Sequence, residues 1–280
     1  MTTFRSINPY SGELIAEYVG WSDASLRESI ASAEEAFGSW RQRSFEERAA
    51  LLRQVAVLLR AKQERLAALA TAEMGKPLHE AMAEVEKCAW VCEYYAAEGP
   101  GFLQSQQIDS EASQSYVRYD PLGIILAIMP WNFPYWQVFR FLAPALMAGN
   151  VGLLKHAPNV FGCAEATVQL LQEAGLPSGV FQSMPITISQ VELTIADPRI
   201  KAVSLTGSEA AGRAVAALAG KHLKMTVLEL GGSNAFVVMA DADLALALEV
   251  GMPARVANAG QSCIAAKRFI VHERHAAGFT

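Results

Sequence analysis

From Tyr116 onward, short apolar runs alternate with amphipathic stretches of helical length, and this alternation limits the fold more than any other feature of the chain. Residues 124–129, 151–154, 202–205, 226–230 and 235–238 read as strands, with a further one at 267–271. Residues 137–148, 160–174, 209–218 and 244–257 read as helices between them. Strands separated by helices build βαβ units, so the class is α/β, with a mostly parallel sheet covered on both faces. Ligands of such sheets bind at the carboxyl ends of the strands. Residues that carry chemistry should therefore lie just after strands.

The first hundred residues are of another kind. After a short extended entry, Ser22 or Asp23 can cap a helix reaching about Trp40. Ser44-Phe45-Glu46-Glu47 is an S-x-x-E capping box before a long amphipathic stretch. There Leu51, Leu52, Val55, Leu58, Leu59, Leu66 and Leu69 recur at spacings of three and four, and Gly75 with Pro77 end the stretch. A third helix is expected over 78–97, broken by Gly99-Pro100-Gly101, and Pro253 should kink the helix at 244–257.

With 280 residues the chain can hold one large domain or two ordinary ones. Its net charge of −5 argues against a nucleic-acid or anionic-membrane partner. The opening MTTFRSINPYSGE lacks a charged region followed by an apolar run, so no signal peptide is expected. The apolar run at 124–129 is cut by Pro130, Asn132 and Pro134, too soon to span a bilayer. A cytoplasmic protein is the default. The four cysteines, Cys88, Cys92, Cys163 and Cys263, form no C-x-x-C pair and have no histidine cluster at zinc spacing, so no metal is expected. Cys88, Cys92 and Cys163 sit on helical patterns and read as small core residues.

Several segments after strands can carry chemistry. In Met129-Pro130-Trp131-Asn132-Phe133-Pro134 two prolines fix an extended backbone that holds the Asn132 carboxamide off a strand end. That side chain can donate to an oxyanion or serve as an ordinary turn residue. Lys155 directly follows the expected strand 151–154 and could reach a ribose or phosphate, or simply be solvated. Thr206-Gly207-Ser208 opens a helix, which suits a pyrophosphate but equally a plain cap at Ser208; it is not G-x-G-x-x-G. Glu229 lies in an apolar strand before Gly231-Gly232, where partial burial would suit it to general-base work. Cys263, in Gly260-Gln261-Ser262-Cys263, lies on a tight turn between a helix and a strand, as a nucleophile would.

Together MPWNFP, LLKHAP, SLTGS, LELGG and GQSC, in this order, resemble the aldehyde dehydrogenase superfamily. The likeness runs from NPYSGE through EMGKP to AAKRFIV, with Asn132 and Lys155 separated by 23 residues and Glu229 and Cys263 by 34. It implies a parallel Rossmann-like sheet with N-terminal helices at 1–230, the NAD(P)-binding domain. It also implies the start of a second α/β domain, the catalytic one, at 231–280. It implies that Cys263 attacks the aldehyde and that Asn132 and the Cys263 backbone N–H hold the oxyanion. Glu229 would activate the water that hydrolyses the thioester. Lys155 would bind the adenine ribose and Ser208 the pyrophosphate of NAD or NADP, with Met129, Trp131, Gly207, Leu230 and Gly231 lining the cofactor.

Within that family, IMPWNFPYWQV, LLKHAPNV and AAKRF look most like bacterial succinate-semialdehyde dehydrogenases. Arg140, eight residues past Asn132, could meet the substrate carboxylate, with Trp136 beside it. The resemblance places a second arginine six residues before the cysteine, where this chain has Ala257. Arg255 is expected to point elsewhere. Pro158 stands where NAD-preferring members carry an acidic residue, Ser233 and Ala235 replace a lysine and a proline, and 181–190 lacks the usual glycines. Family members continue well beyond Thr280, as homo-oligomers, so this chain is expected to be an N-terminal portion, poorly soluble or inactive alone. The competing readings are an inactive nucleotide-binding or oligomerisation module, a thiol esterase, and an enzyme for another small aliphatic aldehyde.

Overall fold

A computed structural model describes residues 2–279. The chain opens with an antiparallel hairpin, β1 (Thr3–Ile7) and β2 (Leu14–Val19). Four helices follow: α1 (Asp23–Trp40), α2 (Phe45–Ala61), α3 (Gln63–Met74) and α4 (Leu78–Phe102). A second short hairpin pairs β3 (Gln106–Gln107) with β4 (Tyr116–Val117). The alternating part then runs β5 (Ile124–Met129), α5 (Trp136–Met147), β6 (Val151–His156), α6 (Phe161–Glu173), β7 (Phe181–Ser183), α7 (Ile188–Ala196), β8 (Ile200–Gly207), α8 (Glu209–Lys221) and β9 (Met225–Leu230). Last come β10 (Asn234–Val238), α9 (Leu244–Val256), β11 (Ala266–Val271) and α10 (Glu273–Phe279).

The five strands from β5 to β9 form one parallel sheet in the order β7-β6-β5-β8-β9. The chain builds outward from β5 through β6 to β7, then returns to the other side of β5 with β8 and β9. The order therefore reverses between β5 and β8, and a crevice opens there at the carboxyl ends of the strands. A separate parallel pair holds β10 and β11. The central strands β5 and β6 are almost wholly buried, as their apolar sequences require. One contiguous core joins the sheet to the N-terminal helices.

The caps read from the sequence are present. The Ser22 hydroxyl accepts the Ser25 N–H at 3.1 Å, and Ser44 and Glu47 make a reciprocal capping box. Several boundaries differ. The amphipathic stretch after Ser44 is two helices, because the backbone at Lys62 leaves helical geometry (φ −109°, ψ 13°). The break lets α3 pack against both α4 and α6. Gly99-Pro100-Gly101 does not stop α4, which runs to Phe102. Gly99 is there for close packing: a Cβ on it would come 2.5 Å from the Met147 Cγ of α5. Pro100 falls near the helix end, where few backbone N–H groups remain to lose. The helix α9 continues through Pro253 to Val256. Lys155 and Gly207 lie within β6 and β8 rather than after them. No helix among the described residues is long and apolar enough to cross a membrane.

Candidate active site

Strand β5 delivers Met129-Pro130-Trp131-Asn132 to the crevice, and β8 delivers Thr206-Gly207-Ser208 beside it. From the edge strand β9 come Glu229 and Leu230, and from the turn before β11 comes Cys263. These segments enclose a cavity of about 390 Å³, lined by Trp131, Asn132, Arg140, Gly207, Ser208, Glu229, Leu230 and Cys263. Residues scattered over 130 positions thus meet, as their placement at strand ends predicts. A second cavity of about 430 Å³ lies on the other side of Cys263, lined by Trp136, Phe133, Lys87, Glu80 and Asn258. Gln137, Arg140, Ser262 and Cys263 border both. The thiol therefore stands where the two spaces meet.

Cys263 is half-buried, whereas Cys88, Cys92 and Cys163 are fully buried. Burial pushes those three thiols up, away from the reactive thiolate, which leaves them as core residues. The Asn132 Nδ2 donates to the Gln261 carbonyl at 2.8 Å. A carboxamide nitrogen has two hydrogens, so one stays available for a ligand. Lys267 donates to the Cys263 carbonyl at 2.9 Å and to the Gly232 carbonyl, tying the cysteine turn to the loop after β9.

Arg140 donates to the Thr206 hydroxyl at 3.2 Å and lies 3.6 Å from the Glu229 carboxylate. Glu229 itself is exposed (56% for the side chain), not partly buried as the sequence suggested. It belongs to the edge strand, and nothing among the described residues covers that side of it. Ser208 uses its hydroxyl as a helix cap, accepting the Ala211 N–H at 3.2 Å while lining the cavity. A Cβ at Gly212 would come 2.5 Å from a Leu230 methyl, so the small residue there lets α8 lie close on β9.

Three residues expected to line the cofactor stay outside the 390 Å³ cavity. Met129 is buried and faces a separate apolar groove of about 460 Å³ on the sheet. Gly231 is exposed and belongs to none of these cavities. Lys155 sits one strand over, opposite Ile128, with its ammonium donating to the His156 carbonyl at 3.2 Å. Burial lowers the Lys155 pKa. Arg255 lines neither cavity, and its guanidinium donates to the Gly260 carbonyl of the cysteine turn at 3.3 Å.

A model of the aldehyde dehydrogenase family matches residues 1–280. This chain belongs to the aldehyde dehydrogenase family. It is 51% identical over 266 residues to a probable succinate-semialdehyde dehydrogenase [NADP(+)] of Synechocystis sp., covering 95% of this chain and 59% of that protein. It is 49% identical over 270 residues to succinate-semialdehyde dehydrogenase [NADP(+)] 1 of Mycobacterium bovis, again with 95% and 59% covered. Among solved structures it is similar to succinic semialdehyde dehydrogenase from Streptococcus pyogenes in complex with NADP+, with a TM-score of 0.96 and 39% identity, covering 99% of this chain and 61% of that one. The chain thus spans about three fifths of these relatives' length.

The aldehyde dehydrogenase site also contains residues that sequence reasoning passed over. His156 is fully buried; its Nδ1 accepts the Ala157 N–H at 2.8 Å and its Nε2 donates to the Pro134 carbonyl at 2.9 Å. It pins the Asn132 loop to the end of β6, and burial pushes its pKa down to about 4. Glu84 accepts the N–H groups of Tyr135 and Trp136, both at 2.8 Å, at the start of α5. Its charge is met by the fully buried Lys76, whose ammonium lies 4.3 Å from the Phe133 ring. Glu73 holds the Gly162 and Cys163 N–H groups at 2.9 Å, at the start of α6. Both Glu73 and Lys76 come from EMGKP, which was legible as a motif but not as a set of helix caps.

Proposed function

We propose that this chain carries the cofactor site and the nucleophile of an enzyme that oxidises succinate semialdehyde to succinate with NADP+. The supporting observation is the position of Cys263, half-buried between two cavities, with the Asn132 carboxamide drawn to the turn that carries it. The substrate and the cofactor are those of the similar Synechocystis and Mycobacterium enzymes, succinate-semialdehyde dehydrogenases [NADP(+)]. Residues 1–230 act as the cofactor-binding unit and 231–280 as the start of the catalytic one, in keeping with the separate sheet of β10 and β11.

The cofactor fits what the chain offers. The N-terminus of α8 faces the 390 Å³ cavity at a strand end, a favourable place for a pyrophosphate. Pro158 puts no carboxylate three places beyond Lys155, so the chain is free of a charge that would repel a ribose phosphate. Ser208, Gly207, Trp131 and Leu230 would hold the cofactor along this wall, with Lys155 toward its ribose. When bound, NADP+ supplies the hydride acceptor.

The Cys263 thiolate adds to the aldehyde carbon from the wall between the cavities. The free Asn132 N–H and the Cys263 backbone N–H stabilise the oxyanion; losing one such donor costs roughly 10²–10³ in rate. After oxidation Cys263 holds the acid as a thioester. Glu229 then takes a proton from the attacking water, and cleavage of the C–S bond returns the thiolate. Arg140, bordering both cavities, offers its guanidinium to the distal carboxylate.

The test is turnover. Joined to the unmatched part of the Synechocystis relative, the protein should release NADPH when mixed with NADP+ and succinate semialdehyde, and Cys263→Ser should abolish it. NADPH formation by Cys263→Ser at the parental rate would refute the thioester route.

A further inference from the structure

Asn258 joins more parts of the site than any residue assigned above. It is buried (3% exposed) and adopts the left-handed conformation, with φ 58° and ψ 42°. Asparagine tolerates that region better than most residues. Its backbone N–H donates to Glu80 Oε1 on α4 at 2.9 Å. Its Nδ2 donates to the Asn132 carbonyl at 2.7 Å and to the Gln261 carbonyl at 3.1 Å. The Gln261 carbonyl also accepts from Asn132 Nδ2 at 2.8 Å. The side-chain amide therefore links the loop after β5 to the turn that carries Cys263, and the backbone N–H ties the residue to helix α4.

The orientation of that amide is fixed by its partners. Two carbonyl oxygens lie against one end, so that end must be the NH₂. The Oδ1 is buried without a partner, a cost accepted to keep both donors in place.

We infer that Asn258 is a positioning residue: it locks the Asn132 loop to the cysteine turn and so sets the distance between the oxyanion donor and the thiol. The inference rests on the roles proposed above for Cys263 and Asn132. Asn258 touches neither reacting atom and acts through Asn132. Misplacing a reacting group by about 1 Å can cost on the order of 10²-fold in rate, so a loosened lock should be visible.

The test is acylation by p-nitrophenyl acetate without cofactor. The Cys263 thiolate attacks the ester carbonyl, the C–S bond forms, the bond between the acyl carbon and the phenolic oxygen breaks, and nitrophenolate leaves with the electron pair. Asn258→Gly keeps the left-handed backbone and removes the donors, and should acylate about 10-fold more slowly. Asn258→Asp keeps shape and backbone but sets a carboxylate against two carbonyls, and should be slower still. In an Asn132→Ala background, Asn258→Gly should cause no further loss, since the group it positions is gone. An aspartate variant equal to or faster than the glycine variant would overturn the inference, because a mere space-filling role favours the isosteric side chain. So would equal losses in both backgrounds.

Hydrogen exchange gives a second measurement that needs no chemistry. Asn258→Gly should speed exchange together at Trp131–Phe133 and at Gln261–Cys263; a change confined to residues 257–260 overturns the lock. If the parent fails to acylate even when joined to the unmatched part of the Synechocystis relative, the roles of Cys263 and Asn132 are wrong, and exchange alone decides for Asn258.

Discussion

Asn132 gives one amide hydrogen to the Gln261 carbonyl and keeps the other available, and His156 governs how firmly its loop is held. The neutral imidazole accepts from Ala157 and donates to Pro134, a pairing that a second ring proton would destroy. With its pKa pushed from the usual 6.5 down to about 4, the folded state resists protonation that the unfolded chain accepts. Stability should thus be intact above pH 6.5 and fall as the pH drops toward 4. At pH 5 the loss from this one group is about 2 kcal/mol. Urea titrations at pH 7 and pH 5 should show that loss in the parent and little of it in His156→Gln. Arg140 has two possible uses, toward the substrate carboxylate or toward Glu229 at 3.6 Å. Arg140→Ala should lower kcat/KM for succinate semialdehyde about 10-fold more than for butanal, as loss of a charged hydrogen bond implies. Equal losses would assign the arginine to Glu229 instead. The sequence pointed to Asn132 by its strand-end motif, to Cys263 by its turn between a helix and a strand, and to Arg140 by its spacing from Asn132. It hid His156 and Asn258, whose importance comes from backbone carbonyls brought near only by folding.

Helix α5 shows why the elements themselves were easier to read than their supports. Its strand-helix pattern is local, so the sequence displays it. Its N-terminus is capped by Glu84 from α4, a contact across some fifty residues that no local pattern encodes. The break at Lys62 was hidden for the same reason: tertiary packing of α3 on α6 imposes it, without glycine or proline. So was β7, three residues long and followed by none of the glycines expected between strand and helix there. The Lys76–Glu84 pair is fully buried, and removing one partner strands a charge. Lys76→Met should destabilise the fold by about 3–5 kcal/mol, whereas Lys76→Met with Glu84→Gln should recover part of that. Urea midpoints for the single and double variants check this. A double variant no more stable than the single would mean that the capping charge on Glu84, and not its pairing, dominates.

At the scale of the whole molecule, polar and apolar surface are unevenly distributed. The N-terminal helices and central strands share a continuous core, yet α9 exposes Leu246, Val250, Met252 and Val256, each at 50% or more. On β9, Met225 and Val227 are exposed at 66% and 62%, and Ile264 beside the nucleophile at 76%. Met225 and Val227 line the apolar groove, and Ile264 lines the cavity beside Cys263. Contiguous apolar surface of this kind marks an interface that something covers. About two fifths of the length of similar family members lies outside the match. The 280-residue chain alone should therefore bind a hydrophobic dye strongly and self-associate as its concentration rises. Joined to the unmatched part of the Synechocystis relative, it should lose most of that dye signal and gain NADP+-dependent turnover. Dye binding unchanged by the fusion would mean that the exposed face of α9 and β9 is not where the rest of such an enzyme packs, and that the site around Cys263 is closed by other means.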